Sequence, residues 1–305
     1  MAARALRIAT RSSPLALVQA DLVAGLLRDA VGAVEVEVVP LVTEGDRRTD
    51  VPLSELGGKG VFATEVQAAV LSGRADLAVH SAKDLPARTP EGLTIAAVPT
   101  RADPRDALVG APLSGLPEGA VVATGSRRRR VQLAHLRDDL RFVDLRGNMA
   151  TRLGRVGTDG IAAVVVAVAA LERLGWGARL ADPSSEVLEP DTFVPQVGQG
   201  ALAVECRSDD DRTIELVGAV DHPPTRRCVD AERAFLTELG GDCDLPAGAH
   251  AHLDGGTLVL RAVLSPAEWD RHPAPVARLE RRGPDPVELG RSAAVDLRAA
   301  LPEPA

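Results

Sequence analysis

The chain has no tyrosine, four phenylalanines and two tryptophans, so aromatic residues are 2% of its 305 positions. The cores must therefore be built from valine, leucine and alanine, and so few aromatics argue against the base-stacking platforms of single-strand nucleic-acid binders. Cysteine is equally sparse. Cys206, Cys228 and Cys243 are odd in number and lack metal-ligand spacing, which excludes a disulfide framework or a zinc site and suggests a reducing compartment. Basic charge is not in excess either: the net charge is −8 and the sequence pI about 5.4, which argues against a general nucleic-acid binder. Apolar runs such as Ile161–Leu171 are too short to span a bilayer. Met1 to Thr10 shows no cationic region leading into an apolar core, so no signal peptide is visible. The expectation is a cytoplasmic protein that binds neither membrane nor nucleic acid.

What is present is an ordinary soluble composition, 45% hydrophobic and 26% charged, in a chain long enough for two or three domains. Ala5–Thr10 reads as a buried strand, and Ser13-Pro14 as the N-cap and first residue of a helix running to about Val31. Val34–Val42 alternates as a strand. A charged, glycine-rich loop ending in Gly57-Gly58-Lys59-Gly60 comes next, then a helix from about Phe62 to Ser72 and a strand at Leu93–Val98. These alternating elements make a parallel α/β lobe. Residues 99–106 carry two prolines and four charges without periodicity and read as an interdomain connection. Beyond them the alternation restarts, with strands at Ala120–Ala123, Phe142–Leu145 and Ile161–Val166, each followed by a helix.

The two beginnings resemble each other. Ala9-Thr10-Arg11-Ser12 and Ala123-Thr124-Gly125-Ser126 both precede a helix that contains Val-Gln. The expected fold is α/β, with two periplasmic-binding-protein-like (type II) lobes around a cleft plus a small C-terminal α+β domain. The expected boundaries are 1-98 with 198-218 for a discontinuous first domain, 105-192 for the second and 221-305 for the third. The third should hold a helix at about Thr225–Leu239, strands at 249–254, 257–264 and 276–282, and a helix after Pro286.

Three constellations carry chemistry. Asp76–Pro86 begins as an apolar strand and ends in His80, Ser81, Lys83 and Asp84, at the strand edge where open α/β sheets place their ligands. A carboxylate beside a lysine can hold N–H groups, stabilise developing positive charge or move a proton. Arginines gather at helix starts: Arg11 with Ser13, then Arg127 to Arg130 after Ser126, then Arg146 and Arg152 around Asn148. Helix N-termini attract anions and arginine forks onto carboxylates, so basic residues there, against the helix dipole, point to an anion site. Four consecutive arginines span every helix face; Arg127 and Arg130 are expected to face solvent. Finally, Cys243 alone of the cysteines lies in a glycine-rich loop. Its neighbours Asp242 and Asp244 disfavour thiolate, so it reads as a covalent attachment point and not a protease nucleophile.

Arg7–Arg11, Gly57–Phe62, Ala78–Pro86, Asp103–Ala107, Leu145–Asn148, Val197–Gly200, Glu205-Cys206-Arg207 and the Cys243 loop occur together and in order. In this the chain resembles the porphobilinogen deaminases over essentially its whole length. The resemblance implies stepwise head-to-tail condensation of four porphobilinogen molecules to hydroxymethylbilane with release of ammonia. The primer would be one dipyrromethane cofactor per chain, held by a thioether to Cys243. It further implies that Asp84 is catalytic, and that Lys83, Ser81, Thr124, Ser126, Arg128, Arg129 and Arg146 contact the cofactor together with Asp84. Arg11, Ser13, Gln19, Lys59, Phe62, Arg152 and Arg173 would serve the substrate; no metal is implied, and a monomer is expected. Two positions depart from the family pattern: Asp242 directly before the cysteine, and Arg127 after Ser126.

Three rival readings compete with this one, among them a paralogue that keeps the fold but has a diverged tetrapyrrole-related role. A non-catalytic anion-binding protein shares the lobes and arginines but has no use for the Cys243 loop. A nucleic-acid binder accounts for the arginine run alone.

Overall fold

The structure, a computed structural model, describes residues 5–32, 34–47, 62–241, 245–266 and 275–301. Lys59 and Cys243, both singled out above, lie outside the described residues.

The first lobe is built as the local sequence dictates. Strand β1 (Leu6–Arg11) runs into helix α1 (Pro14–Val31), where Ser13 Oγ accepts from Ala16 N and Pro14 fills the first turn. Ala16, Ala20, Val23, Ala24 and Leu27 recur at helical spacing on the buried face of α1. Then come β2 (Val36–Leu41), the single turn α2 (Glu44–Arg47), α3 (Thr64–Leu71), β3 (Leu77–Ser81) and β4 (Leu93–Ala97).

The second lobe contains β5 (Asp106–Val109), β6 (Val121–Ala123), α4 (Arg127–Leu136), β7 (Arg141–Val143), α5 (Met149–Leu153), β8 (Ile161–Ala167), α6 (Val168–Arg173) and β9 (Ser185–Leu188). The chain then returns as β10 (Leu202–Arg207) and α7 (Asp211–Gly218). The first sheet has the order β2-β1-β3-β10-β4 and the second the order β7-β6-β8-β5-β9. They are the same sheet built twice, which makes the two lobes of the type II binding-protein kind.

Two expectations need correcting. The first lobe is not wholly parallel: β10 runs antiparallel to both β3 and β4, and β5 does the same between β8 and β9. Each antiparallel strand is the one laid down just after the chain crosses from the other lobe, so it enters its sheet from the opposite end. The interlobe connection also stops at Arg105, because Asp106 already pairs with Ala167 and Leu188 inside the sheet. Strands β5 and β9 were not expected. Each is four residues long and carries charge, Asp106 in one and Glu186 in the other, and that hides the apolar pattern.

The third unit comprises α8 (Pro223–Glu238), β11 (Ala247–Asp254), β12 (Thr257–Leu264), β13 (Ala277–Gly283) and α9 (Pro286–Ala300). One face of its antiparallel sheet, with Ala249, Ala251, Leu258 and Leu260, packs on Phe235, Leu289, Ala293 and Leu297 of the two helices. With each buried leucine or phenylalanine contributing about 1.5–3 kcal/mol, this cluster is what holds the unit together.

Glu232 on α8, fully buried, fastens that unit to both crossings between the lobes. It accepts from Arg101 Nη1 at 2.6 Å and Nη2 at 3.1 Å on the first crossing, and from Gly198 N at 2.7 Å on the second. It also accepts from Ala251 N in β11 at 2.8 Å. A buried carboxylate without such donors would be prohibitively costly.

Candidate active site

Strand β3 ends at Ser81, and a tight helical turn, Ala82–Asp84, follows at the cleft. Strand alternation sends Ser81 and His80 to opposite faces. Ser81 Oγ exchanges hydrogen bonds with Gln19 of α1 at 2.8 and 3.0 Å. His80 is buried, with Nε2 3.1 Å from Glu205 of β10, so the loop does not present His80 alongside Lys83 and Asp84 as expected. Asp84 is partly exposed, and its carboxylate lies 3.8 Å from Arg11 Nη1. Arg11 is held from behind by Asp46, and its guanidinium stacks over Phe62 at 4.2 Å from the ring centroid. Arg11, Ser13, Gln19, Phe62, Ser81 and Asp84 share a cavity of about 40 Å³. A larger one, about 240 Å³, is lined by Pro86, Ala87, Arg88, Thr237, Gly240 and Gly241.

The second crossing is pressed against this turn. Gly198 has φ +70°, and a Cβ there would come within 3.0 Å of the Ala82 and Lys83 backbone. Gly200, at φ +84°, would meet the carbonyl oxygen of Ala102 at 2.5 Å. Only glycine tolerates that conformation and that proximity together, which gives Val197-Gly198-Gln199-Gly200 its physical meaning. Between the glycines, Gln199 is buried.

The facing lobe contributes the cations. Ser126 caps α4 by accepting from Arg129 N, and Thr124 Oγ1 accepts from Ser126 N at 3.2 Å. The arginine run then divides. Arg127 is exposed, as expected. Arg130 does not simply face solvent: it donates to Thr124 O at 2.9 Å and pairs with Asp144. Arg128 and Arg129 are buried on Asp106, Arg128 through Nη2 at 2.8 Å and Arg129 through Nε at 3.0 Å and Nη2 at 2.6 Å. Arg128 also donates to Val194 O and Gln196, and Arg129 to Val165 O. Both guanidiniums are thus committed to protein acceptors, and their charge reaches the cleft as a field more than as free donors. On α5, capped by Asn148, Arg152 Nε donates to Gly147 O at 2.8 Å, with Arg146 just upstream. Arg173 reaches across from the end of α6 to Gly200 O at 2.7 Å.

The electrostatics fit an anion. Burial pushes the Lys83 ammonium down to about 8; Arg129 and Arg152 add to the effect, while Asp84 and Asp106 oppose it. Burial likewise lowers Arg152 to about 10, helped by Arg129, and Arg173 to about 10. Among the described residues, none of Lys83, Arg152 and Arg173 pairs with a carboxylate. Burial alone would raise the Asp106 carboxyl, but the Arg128 and Arg129 charges outweigh it and bring it down to about 2. Desolvated cations without counter-charge are costly, and a ligand with several carboxylates relieves that cost. No group of metal-ligating side chains is present among the described residues. Sequence reasoning gave no role to Asp106, Gln199 or Glu232. The one legible signal was Asp106 heading the otherwise apolar Ala107-Leu108-Val109.

A two-lobed α/β protein with a recessed, under-compensated cationic cleft is a binder of multiply anionic ligands, and the carboxylate at its rim gives it a group for proton chemistry. The family model described as "Porphobilinogen deaminase, dipyromethane cofactor binding domain" matches residues 6–215, and that for "Porphobilinogen deaminase, C-terminal domain" matches 226–299. A porphobilinogen deaminase from Roseiflexus sp. (strain RS-1) is 45% identical over 295 residues, covering 95% of this chain and 94% of the relative. The chain belongs to the porphobilinogen deaminase family. Among solved structures, a YaeC-family lipoprotein from Enterococcus faecalis V583 aligns with TM-score 0.42 and 13% identity, covering 79% of this chain and 98% of that one. A substrate-binding domain of a putative amino acid ABC transporter from Streptococcus pneumoniae gives TM-score 0.42 and 11% identity, covering 78% and 95%. The fold assignment rests on the strand order.

Proposed function

We propose that Asp84 is the catalytic residue of this deaminase and that the cations around it hold the carboxylates of its ligands. The chain is a transferase of tetrapyrrole biosynthesis: it condenses four porphobilinogen molecules head to tail to hydroxymethylbilane, with release of ammonia. The dipyrromethane cofactor, when bound, supplies the terminal pyrrole carbon on which the product grows. Each pyrrole carries an acetate and a propionate, and the observation that supports the reading is the set of recessed cations, Lys83, Arg152 and Arg173, whose charged forms burial disfavours and which form no ion pair among the described residues.

Asp84, exposed enough to reach a ligand and 3.8 Å from Arg11, is suited to accept pyrrole N–H bonds and to stabilise positive charge developing at the methylene as the amine departs. Phe62 supplies a flat face beside it, its other side covered by Arg11. Ser13, Gln19 and Ser81 line the same cavity and offer hydroxyl and amide groups. Arg146 and Arg152 serve carboxylates from the facing lobe with Thr124 and Ser126, while Arg128 and Arg129 contribute through their field, Arg129 also adding to the lowering of Lys83 by burial. Cys243 is the attachment point and Lys59 a further substrate cation. Free, buried Cys206 and Cys228 suit a reducing compartment, which supports a cytoplasmic location.

Intact-mass measurement of the purified protein tests the reading. A covalent excess equal to two condensed porphobilinogen units is expected. An active protein at the bare chain mass would overturn it.

A further inference from the structure

The Gln199 side chain, on the second crossing, touches both lobes and the first crossing. Its Nε2 donates to Pro104 O at 2.7 Å and to Asp106 Oδ1 at 3.0 Å. Its Oε1 accepts from Lys83 Nζ at 3.4 Å. The amide cannot be turned over: a flip would set its carbonyl oxygen against the Pro104 carbonyl and the Asp106 carboxylate, and its NH₂ against an ammonium. Two fixed acceptors on one side therefore dictate an acceptor on the other.

The glycines on either side hold the amide at that spot. Gly198 packs on the Ala82–Lys83 backbone and Gly200 on Ala102 and Asp103, so the backbone of Gln199 has little room to shift. Asp106, the far end of the relay, is the counter-charge of Arg128 and Arg129. The charged groups acting on Lys83 are Asp84 on its own turn, Asp106 on β5, Arg129 on α4 and Arg152 on α5. Gln199 is the neutral group that links Lys83 to one of them, Asp106. The chain's choice of cation is also informative. Of its 35 basic residues only Lys59 and Lys83 are lysine. Arginine is always charged, whereas a lysine's charge responds to its surroundings.

We propose that Gln199 is a positioning residue for the deaminase reaction, holding the Lys83 ammonium at the cleft beside Asp84 and coupling it to the Asp106–Arg128–Arg129 cluster of the opposite lobe. This deepens the function proposed above and rests on its placing of Lys83 at the ligand.

Lysine scarcity makes the test direct. Trace acetylation with acetic anhydride from pH 6 to 10, followed by mass spectrometry of the Lys83 peptide, reads the ionisation of that one amine in the cofactor-free full-length protein. The wild-type midpoint is expected near 8. Gln199→Met keeps the length and removes the acceptor, so the neutral amine gains and the midpoint falls by about half a unit, roughly threefold in the ionisation constant. Gln199→Glu turns the acceptor into a carboxylate and moves the midpoint up. The alkaline limb of cofactor loading, followed as mass gain, should move with the midpoint in each variant. Should Gln199→Met not fold, Gln199→Asn, one methylene too short to reach, takes its place with the same expected sign. Opposite shifts in variants of unchanged unfolding temperature support positioning. Unchanged midpoints, or shifts of the same sign in Met and Glu, overturn it. Lys83→Ala separates the two readings: normal loading in that variant removes Lys83 from the ligand site whatever the Gln199 variants do to its ionisation.

Discussion

Asp106→Asn probes the buried centre of the facing lobe most sharply. The wild-type carboxylate is inaccessible to solvent and takes bonds from Arg128, Arg129 and Gln199. Asparagine keeps the shape but removes the charge, and it turns an N–H pair toward groups that are already donors. Breaking a buried ion pair by neutralising one partner typically costs about 3–5 kcal/mol, because the surviving charge stays buried. Proton linkage gives an independent estimate. The Asp106 carboxyl sits near 2 against an ordinary 3.8, a depression worth about 2 kcal/mol at neutral pH. A depressed carboxyl contributes its stability above its unfolded value, here 3.8, and loses it as pH falls through the folded value near 2. The orphaned guanidiniums are therefore the larger effect. Urea unfolding should show Asp106→Asn about 3–5 kcal/mol less stable at pH 7, with the gap narrowing by roughly 1 kcal/mol between pH 5 and pH 3. A variant within about 1 kcal/mol of wild type at pH 7, or a gap that widens on acidification, would refute the picture of a carboxylate compensating two arginines.

Asp84→Ala should lose at least about 10²–10⁴-fold in turnover. Its unfolding midpoint should hold, since its partly exposed pair with Arg11 is worth at most about 1 kcal/mol; substantial activity in the folded variant would sink the assignment. Cys243→Ser should lack covalent dipyrromethane by mass, whereas Cys206→Ser and Cys228→Ser should carry it, because burial pushes both of those thiols up to about 11 and shields them. Within the arginine run, Arg127→Leu should change stability by no more than about 0.5 kcal/mol, while Arg128→Leu should cost about 1.5–3 kcal/mol by removing one of the two guanidiniums on buried Asp106, which keeps Arg129 and Gln199. Equal effects at the two positions in a denaturation series would contradict the geometry. Glu232→Gln should cost about 3–5 kcal/mol, since the mostly buried Arg101 loses its counter-charge and three segments lose a shared anchor; a protein of wild-type stability would show that the anchor is redundant.

Local signals were sufficient for most of the elements. Ser13-Pro14, Ser126 and Asn148 each start a helix because a side-chain oxygen three residues upstream meets a free backbone N–H, an interaction contained in four residues of sequence. The alternation along β11 and β12 likewise determined which residues enter the third core. Ordered motifs were enough to assign the family, and with it came the proposed roles of Asp84 and Cys243. Tertiary structure alone decided the rest. Helical periodicity separates the faces of the arginine run but does not say which face meets Asp106, whose partners lie 22, 23 and 93 residues away. The direction of β5 and β10 depends on where the chain re-enters each sheet after a crossing, and no local pattern records that. His80 reads as one of four polar residues within five positions until strand alternation turns it onto Glu205, 125 positions along the chain. Gln199 was only the residue between two glycines until folding set Pro104 and Asp106 on one side of its amide and Lys83 on the other. A partner at such sequence distance leaves no trace in the segment that receives it, because what selects it is packing and charge balance in the finished fold.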